Sequence, residues 1–142
     1  VHNSYKSPDS INAIDWNLKH VNADQFEYYK ELIALRKAHP AFRMTTAGDI
    51  ARHLKFDKVT APNLISYSLL DNANGDEWKE IKVIFNGSDK AAEVMLPKGK
   101  WTVVARDGKI DHSGLRDADG TLQMLPGGNT AVEPCSALIL YR

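Results

Sequence analysis

The sequence has a single cysteine, Cys135, among its 142 residues. An intramolecular disulfide is therefore impossible, and no cluster of thiolate zinc ligands can form within the chain. A proline and small or apolar residues flank Cys135, which predicts a buried thiol. An excess of charge of one sign is also missing, because 18 Lys and Arg balance 18 Asp and Glu. Charge therefore gives no reason to expect a nucleic acid or a membrane as partner.

Long apolar runs and several catalytic fingerprints are absent as well. No segment has the roughly 18 to 20 apolar residues that a membrane-spanning helix needs. The sequence contains no G-x-S-x-G motif, P-loop or dinucleotide fingerprint, and its five histidines form no H-x-x-x-H pair. We therefore expect no cofactor and no resident metal. Residues 1–5 lack a signal-peptide pattern and an initiator Met, so we expect the sequence to begin inside a longer protein, whose secreted or cytoplasmic location stays open.

Residues 21–26 carry the pattern of a helix start. Asn22 is placed to cap the helix, Gln25 to reach back from the third helical position, and Val21 to pack on Phe26. Apolar side chains then recur at spacings of three and four up to Pro40, which ends the helix. The pattern predicts a helix over about 23–39 with an apolar face broad enough to need a large partner surface.

After Pro40 the apolar period changes from near 3.6 to 2, which is typical of strands. Pairs such as Asn74-Gly75, Lys98-Gly99 and Asp107-Gly108, and the run 127–129, predict tight turns between them. We predict an antiparallel β-sandwich, with the boundary near residues 42–48. The predicted strands cover 53–56, 64–69, 80–85, 92–96, 101–104 and 137–141, with weaker candidates at 122–125 and 131–132.

Residues 2–16 are dense in hydrogen-bonding side chains and include two aromatic residues, the mixture that binds sugars. A glycosidase also needs two carboxyl groups across the scissile bond, about 5 to 10 Å apart. The acidic residues around glycines at 107–120 are better explained as turn residues. Asp117-Ala118-Asp119-Gly120 lacks the acidic ligands of a calcium loop. Trp101 alternates with Val103 as a core residue does, and Trp78 is the better candidate for surface stacking, although packing is favoured for both.

Two stretches carry a resemblance to a known family. Residues 2–16 resemble bacterial type I pullulanases, which are glycoside hydrolases of the alpha-amylase superfamily. The run Leu-Ile-Ala-Leu-Arg-Lys-x-His-Pro-Ala-Phe at 32–42 is similar to the last barrel helix of that superfamily. The resemblance implies that residues 1–43 are the last βα-loop and final helix of a (β/α)8 barrel, and that residues 44–142 are the C-terminal sandwich domain.

The resemblance implies a parent enzyme that hydrolyses α-1,6 branch linkages in glucans with retention of configuration. The family's catalytic acids all precede this segment, so no catalytic residue is expected here. His2 and Asn3 match the loop that borders the glucose subsites, with Tyr5 and Asp9 as further candidates. The implied partners are a branched α-glucan and the N-terminal catalytic portion of the parent.

Three alternatives stay open at this point. The chain could be a stand-alone carbohydrate-binding β-module that uses Trp78 or other exposed aromatic residues, or a purely structural domain without glycan contacts. Within the enzyme class, an isoamylase-like or amylopullulanase-like hydrolase is the nearest competitor.

Overall fold

The computed structural model describes residues 3–142, and the chain changes from helices to strands at residue 54. The first part contains α1 (Asp9–Asn12), α2 (Leu18–Val21), α3 (Ala23–Ala38), a 3-10 helix (Pro40–Arg43) and α4 (Ala47–His53). Among the described residues, no helix is long and apolar enough to cross a membrane. The second part contains β1 (Leu54–Phe56), β2 (Leu64–Leu70), β3 (Glu80–Asn86), β4 (Ala92–Arg106), β5 (Lys109–Ile110), β6 (Met124–Val132) and β7 (Ser136–Tyr141).

These strands form one antiparallel sheet of seven strands in the order β1-β2-β3-β7-β4-β5, with β6 paired to β4. In the centre, Ile81 of β3 lies opposite Tyr141 of β7, and Asn86 lies opposite Ser136. The mainly β fold class and the antiparallel sheet expected from the sequence are confirmed.

Both faces of the central strands are buried, each in its own core. On one face Ile81 and Val83 pack with Leu35 of α3. On the other face Ile84 of β3 shares a core with Val94 and Leu96 of β4. The first half of β4 pairs only with β6. Because its Val94 and Leu96 pack with Ile84, this β4–β6 hairpin covers that face of the sheet instead of extending its edge. Where the sequence predicted a sandwich, the structure has one continuous sheet that folds over itself.

Strand β4 contains an irregularity at the position where the sequence predicted a turn. Residues 92–96 and 101–104 were expected to be separate strands, but they belong to the single strand β4, whose register with β6 shifts between Leu96 and Lys100. Gly127 lies opposite the bulge, where an added Cβ would collide with the backbone oxygen of Pro97. The run 127–129 therefore lies within β6, and its glycine permits a close backbone approach.

Helix α3 ends as expected, but the predicted start is wrong in its details. His39 has extended dihedral angles before Pro40, which ends the helix. Asn22 accepts no capping hydrogen bond; instead its Nδ2 donates to the Leu18 carbonyl oxygen at 2.9 Å. Because α2 ends immediately before α3, the Asn22 side chain is used by the preceding helix.

Two further expectations are corrected by the structure. Residues 47–53 form α4, which Thr46 caps by accepting from the Asp49 N–H at 3.1 Å, so only 54–56 of the predicted strand are extended. Cys135 is exposed rather than buried. It lies in the turn before β7 with φ of 48°, ahead of the buried run that begins at Leu138. Trp101 is fully buried, as its alternation predicted.

Candidate functional site

The predicted sugar-binding loop begins at the edge of the described residues. His2 lies outside them, whereas Asn3, Tyr5 and Asp9 are all exposed. The Asn3 Oδ1 accepts from the Tyr5 backbone N–H at 3.0 Å, so Asn3 and Tyr5 are brought together in an Asx turn. Asp9 is the first residue of the short helix α1, which follows this turn in the chain.

Asn12 holds this loop in shape. Its Nδ2 donates to the carbonyl oxygens of Ser4 at 2.9 Å and Ser7 at 3.0 Å. The loop is therefore ordered by its own side chains while Tyr5 stays 81% exposed. An exposed aromatic ring beside an amide is the combination that stacks on a pyranose and bonds its hydroxyls.

Helices α1 to α3 and the residues between them carry eight large apolar side chains that the described chain leaves exposed. Leu35 is the one fully buried residue of α3. The exposed members, which we call the helical apolar surface, are Ile11, Ile14, Trp16, Leu18, Val21, Phe26, Tyr29 and Ile33. Exposed apolar side chains in such number are common on surfaces that contact another domain or protein.

The other end of α3 is fixed to the sheet by a buried aromatic stack. Trp78 lies between His39, at 3.4 Å between ring centroids, and Tyr141, at 3.9 Å. Asp76 orders the stack, because its carboxylate contacts the His39 ring at 3.0 Å and accepts from the backbone N–H groups of Ala41 and Trp78. Trp78 is 8% exposed, so it packs in the core, as favoured from the sequence, and cannot stack on a surface sugar.

A hydrogen-bonded pair, Glu31 and His112, also joins α3 to the loop after β5. Glu31 Oε2 accepts from the backbone N–H of His112 at 3.1 Å and contacts its Nδ1 at 2.8 Å. These hydrogen bonds hold the pKa of Glu31 below its usual range. With Asp111 they form a group of three possible metal-ligand atoms within 4.8 Å of one another. The Glu31 and His112 atoms are already paired with each other, and the absence of a resident metal stays a prediction.

Two of the acidic loop residues, Asp111 and Asp119, accept hydrogen bonds within turns that favour their ionised form. Partial burial raises the pKa of Asp111, but hydrogen bonds from the Ser113 N–H and hydroxyl outweigh it and lower the pKa. The Thr121 N–H likewise lowers the pKa of Asp119. A carboxyl with a lowered pKa is a poor general acid near neutral pH.

A buried charge within the sheet was not predicted. Lys82 lies on the face of β3 that carries Ile84 and has 3% of its surface exposed. Its Nζ donates to Asp57 and, at 3.2 Å, to the Ser68 hydroxyl. The Ser66 hydroxyl also donates to Asp57. The alternation of residues in β3 places Lys82 on the same face as Ile84, which is a signal for its burial. Its partner Asp57 lies 25 residues away in the sequence, so no local pattern indicates the pair.

The fold defines the class as a mainly β domain with an antiparallel sheet that follows a helical segment. Residues 50–109 match the family described as "Pullulanase, all-beta domain". The pullulanase of Bacillus subtilis (strain 168) is 46% identical over 97 residues, which cover 68% of this chain and 13% of that protein. The family predicted from the sequence, the pullulanases, is confirmed by these matches.

Solved structures agree over nearly the whole chain. A pullulanase from Bacillus acidopullulyticus matches 99% of this chain and 16% of its own, with 37% identity and a TM-score of 0.87. A type I pullulanase from Bacillus subtilis str. 168 complexed with maltose matches 98% of this chain and 18% of its own, with 36% identity and a TM-score of 0.82. The chain thus spans less than one fifth of the length of these relatives.

Proposed function

We propose that this chain is the noncatalytic C-terminal portion of a glycoside hydrolase that cleaves α-1,6 linkages in pullulan, amylopectin and related branched glucans. The observation that carries the proposal is the match of 99% of the chain to 16% of a pullulanase structure. Nearly all of the chain has a counterpart in such an enzyme, and most of the enzyme lies outside that counterpart.

In this proposal, residues 1–43 complete a catalytic (β/α)8 barrel and residues 44–142 form the domain behind it. The helical apolar surface packs on the N-terminal catalytic portion, which carries the nucleophile and the acid/base. The opposite side of α3 rests on the sheet through Leu35 and through the His39–Trp78–Tyr141 stack. The sheet would therefore hold α3 in place from behind.

The loop at the start of the chain supplies part of the substrate site. Active sites of (β/α)8 barrels lie in the loops at the carboxyl ends of the strands, and the proposal assigns this loop to that end. His2 and Asn3 would contact glucose units, with Tyr5 and Asp9 as further candidates. The maltose complex of the Bacillus subtilis pullulanase supports an α-glucan as the ligand class.

A stand-alone binding module is less well supported. Such a module was expected to use Trp78 or other exposed aromatic residues, and Trp78 is covered on both ring faces by His39 and Tyr141. The uncovered helical apolar surface also favours a chain that works against a larger partner.

Replacing Asn3 by Ala in the full enzyme is expected to lower kcat/KM on pullulan about tenfold, because one hydrogen bond to substrate is lost. Replacing His2 by Ala is expected to have a similar effect. Steady-state kinetics on pullulan measure both changes. Asn3→Asp keeps the oxygen that accepts from the Tyr5 N–H but removes the amide donor, so it separates the turn from the substrate contact.

Asn17→Ala is the matched control, since Asn17 is also an exposed asparagine of the same segment and its side chain makes no capping hydrogen bond. Unchanged kinetics in both the His2→Ala and Asn3→Ala variants would refute the assigned substrate contacts.

A further inference from the structure

Three side chains with metal-ligating atoms meet where α3 contacts the loop after β5. Glu31, Asp111 and His112 each offer one such atom, and the three atoms lie within 4.8 Å of one another. Glu31 and His112 are 81 residues apart in the sequence, so the fold assembles the cluster and no short spacing motif indicates it. The cluster includes no residue of the loop at 3–9 and none of the helical apolar surface.

The donor set of this cluster suits zinc. It consists of one imidazole nitrogen and two carboxylate oxygens, all of which are common zinc ligands. Calcium and magnesium take oxygen ligands, whereas an imidazole shifts the preference towards zinc and other transition metals. Three protein ligands leave the fourth tetrahedral position to a water molecule.

Both carboxylates are ionised near neutral pH, as metal ligands must be. Hydrogen bonds from His112 lower the pKa of Glu31. Partial burial raises the pKa of Asp111, but hydrogen bonds from Ser113 outweigh it and lower the pKa. These hydrogen bonds use the Oε2 of Glu31 and the Oδ1 of Asp111. Within residues 3–142, the second oxygen of each carboxylate is therefore available to an ion.

The contact between the two side chains can open for an ion without losing its anchor. The Nδ1 of His112 lies 2.8 Å from the Oε2 of Glu31, whereas two ligand atoms of a tetrahedral zinc ion are about 3.3 Å apart. The pair must therefore widen by about 0.5 Å. The backbone N–H of His112 also donates to Oε2, at 3.1 Å, so the carboxylate stays in place when the ring nitrogen binds the metal.

The second histidine–carboxylate pair of the fold shows what a purely structural pair looks like. The side chains of His39 and Asp76 are 4% and 0% exposed, and both oxygens of Asp76 accept hydrogen bonds. By contrast, the side chains of His112 and Glu31 are 42% and 27% exposed. Glu31 also lines a depression of about 490 Å³. An ion from solvent can therefore reach this pair but not the buried one.

We propose that Glu31, Asp111 and His112 form an exchangeable Zn²⁺ site that cross-links α3 to the loop after β5. The site fills when free Zn²⁺ is available, and it contributes no catalytic group. Because the unfolded chain does not hold the three ligands together, the bound ion stabilises the folded state. Zinc binding is independent of the proposed function; only its benefit to a parent enzyme, a more firmly held α3, rests on it.

Isothermal titration of the 142-residue chain with zinc chloride tests the site, with calcium chloride as the comparison. We expect one zinc ion to bind and calcium to give no response. Glu31→Gln and Asp111→Asn are each expected to weaken zinc binding at least about tenfold, because a ligating carboxylate is lost. Both amide variants keep an oxygen that can accept the existing hydrogen bonds, so the loss would not reflect misfolding. His112→Ala should weaken binding to a similar extent.

Two control variants separate this cluster from other zinc ligands. His20→Ala removes an exposed histidine outside the cluster, and Cys135→Ser removes the exposed thiol. Neither change is expected to alter the affinity for zinc. Urea unfolding supplies a second measurement, since zinc should raise the midpoint of the unsubstituted chain but not that of the His112→Ala variant.

The proposal is overturned if the folded chain binds no zinc, if binding survives all three ligand variants, or if it is lost in Cys135→Ser. A chain that completes a pullulan-hydrolysing enzyme but binds no zinc would refute the metal site alone. A chain that binds zinc through these three residues but completes no such enzyme would refute the proposed function instead.

Discussion

Replacing Asp76 by Ala is expected to lower the free energy of unfolding by about 4 kcal/mol. The carboxylate contacts the ring of His39 and the backbone N–H groups of Ala41 and Trp78 at 3.0 to 3.1 Å. Removing it leaves three buried polar groups without this partner, and each unsatisfied group costs about 1 to 3 kcal/mol. Urea unfolding followed by tryptophan fluorescence measures the loss, because Trp78 reports directly on the stack.

Glu77→Ala is the control for this variant, since Glu77 is the exposed neighbour of Asp76, and a change within about 0.5 kcal/mol is expected there. Asp76→Asn keeps one acceptor oxygen and should lose less than Asp76→Ala. Equal stabilities of the Asp76→Ala and Glu77→Ala variants would contradict the assigned role.

The second large effect concerns the buried Lys82. Asp57→Ala is expected to destabilise the fold by about 2 kcal/mol, because it leaves the Lys82 ammonium without its carboxylate partner. We expect a smaller loss of stability than for a fully buried ion pair, because the Asp57 side chain is 39% exposed. Adding Lys82→Met removes the unpaired charge and is expected to restore most of the lost stability, which chemical denaturation of the single and double variants measures.

The same pair predicts a pH dependence with a definite sign. Partial burial raises the pKa of Asp57, but hydrogen bonds from Lys82 and Ser66 and the charge of Lys82 outweigh it and lower the pKa. The resulting stabilisation is fully present above the unfolded-state value of about 3.9 and is lost as pH falls through the lower folded-state value. Below about pH 4, the Asp57→Ala/Lys82→Met variant should therefore lose less stability than the unsubstituted chain. Identical acid unfolding of the two proteins would contradict this account.

Local signals were sufficient for much of the fold. The period of 3.6 gave α3 because Pro40 and the apolar spacing are both local, and the period of 2 gave β2, β3 and β7 within a residue of their observed ends. The bent β4 was divided in two because Lys98-Gly99 has the composition of a turn. The bulge at Lys98-Gly99 packs closely against Gly127 of the neighbouring strand. A pattern confined to residues near Lys98 cannot show this contact.

Long-range pairs account for the rest. Asp76 meets His39 across 37 residues, so its sequence neighbourhood suggested only a turn. The resemblance indicated the loop at residues 2–9, because a family motif carries positional information that composition lacks.

The most direct test of the central claim is an exchange of this chain for the matching segment of the Bacillus subtilis pullulanase. The chimera is expected to release maltotriose from pullulan, because the chain would restore the wall of the barrel and the edge of the substrate site. The purified 142-residue chain is expected to release none, because the proposal places both catalytic carboxyl groups outside it. Maltotriose release by the isolated chain, or a folded chimera without activity on pullulan, would contradict the account.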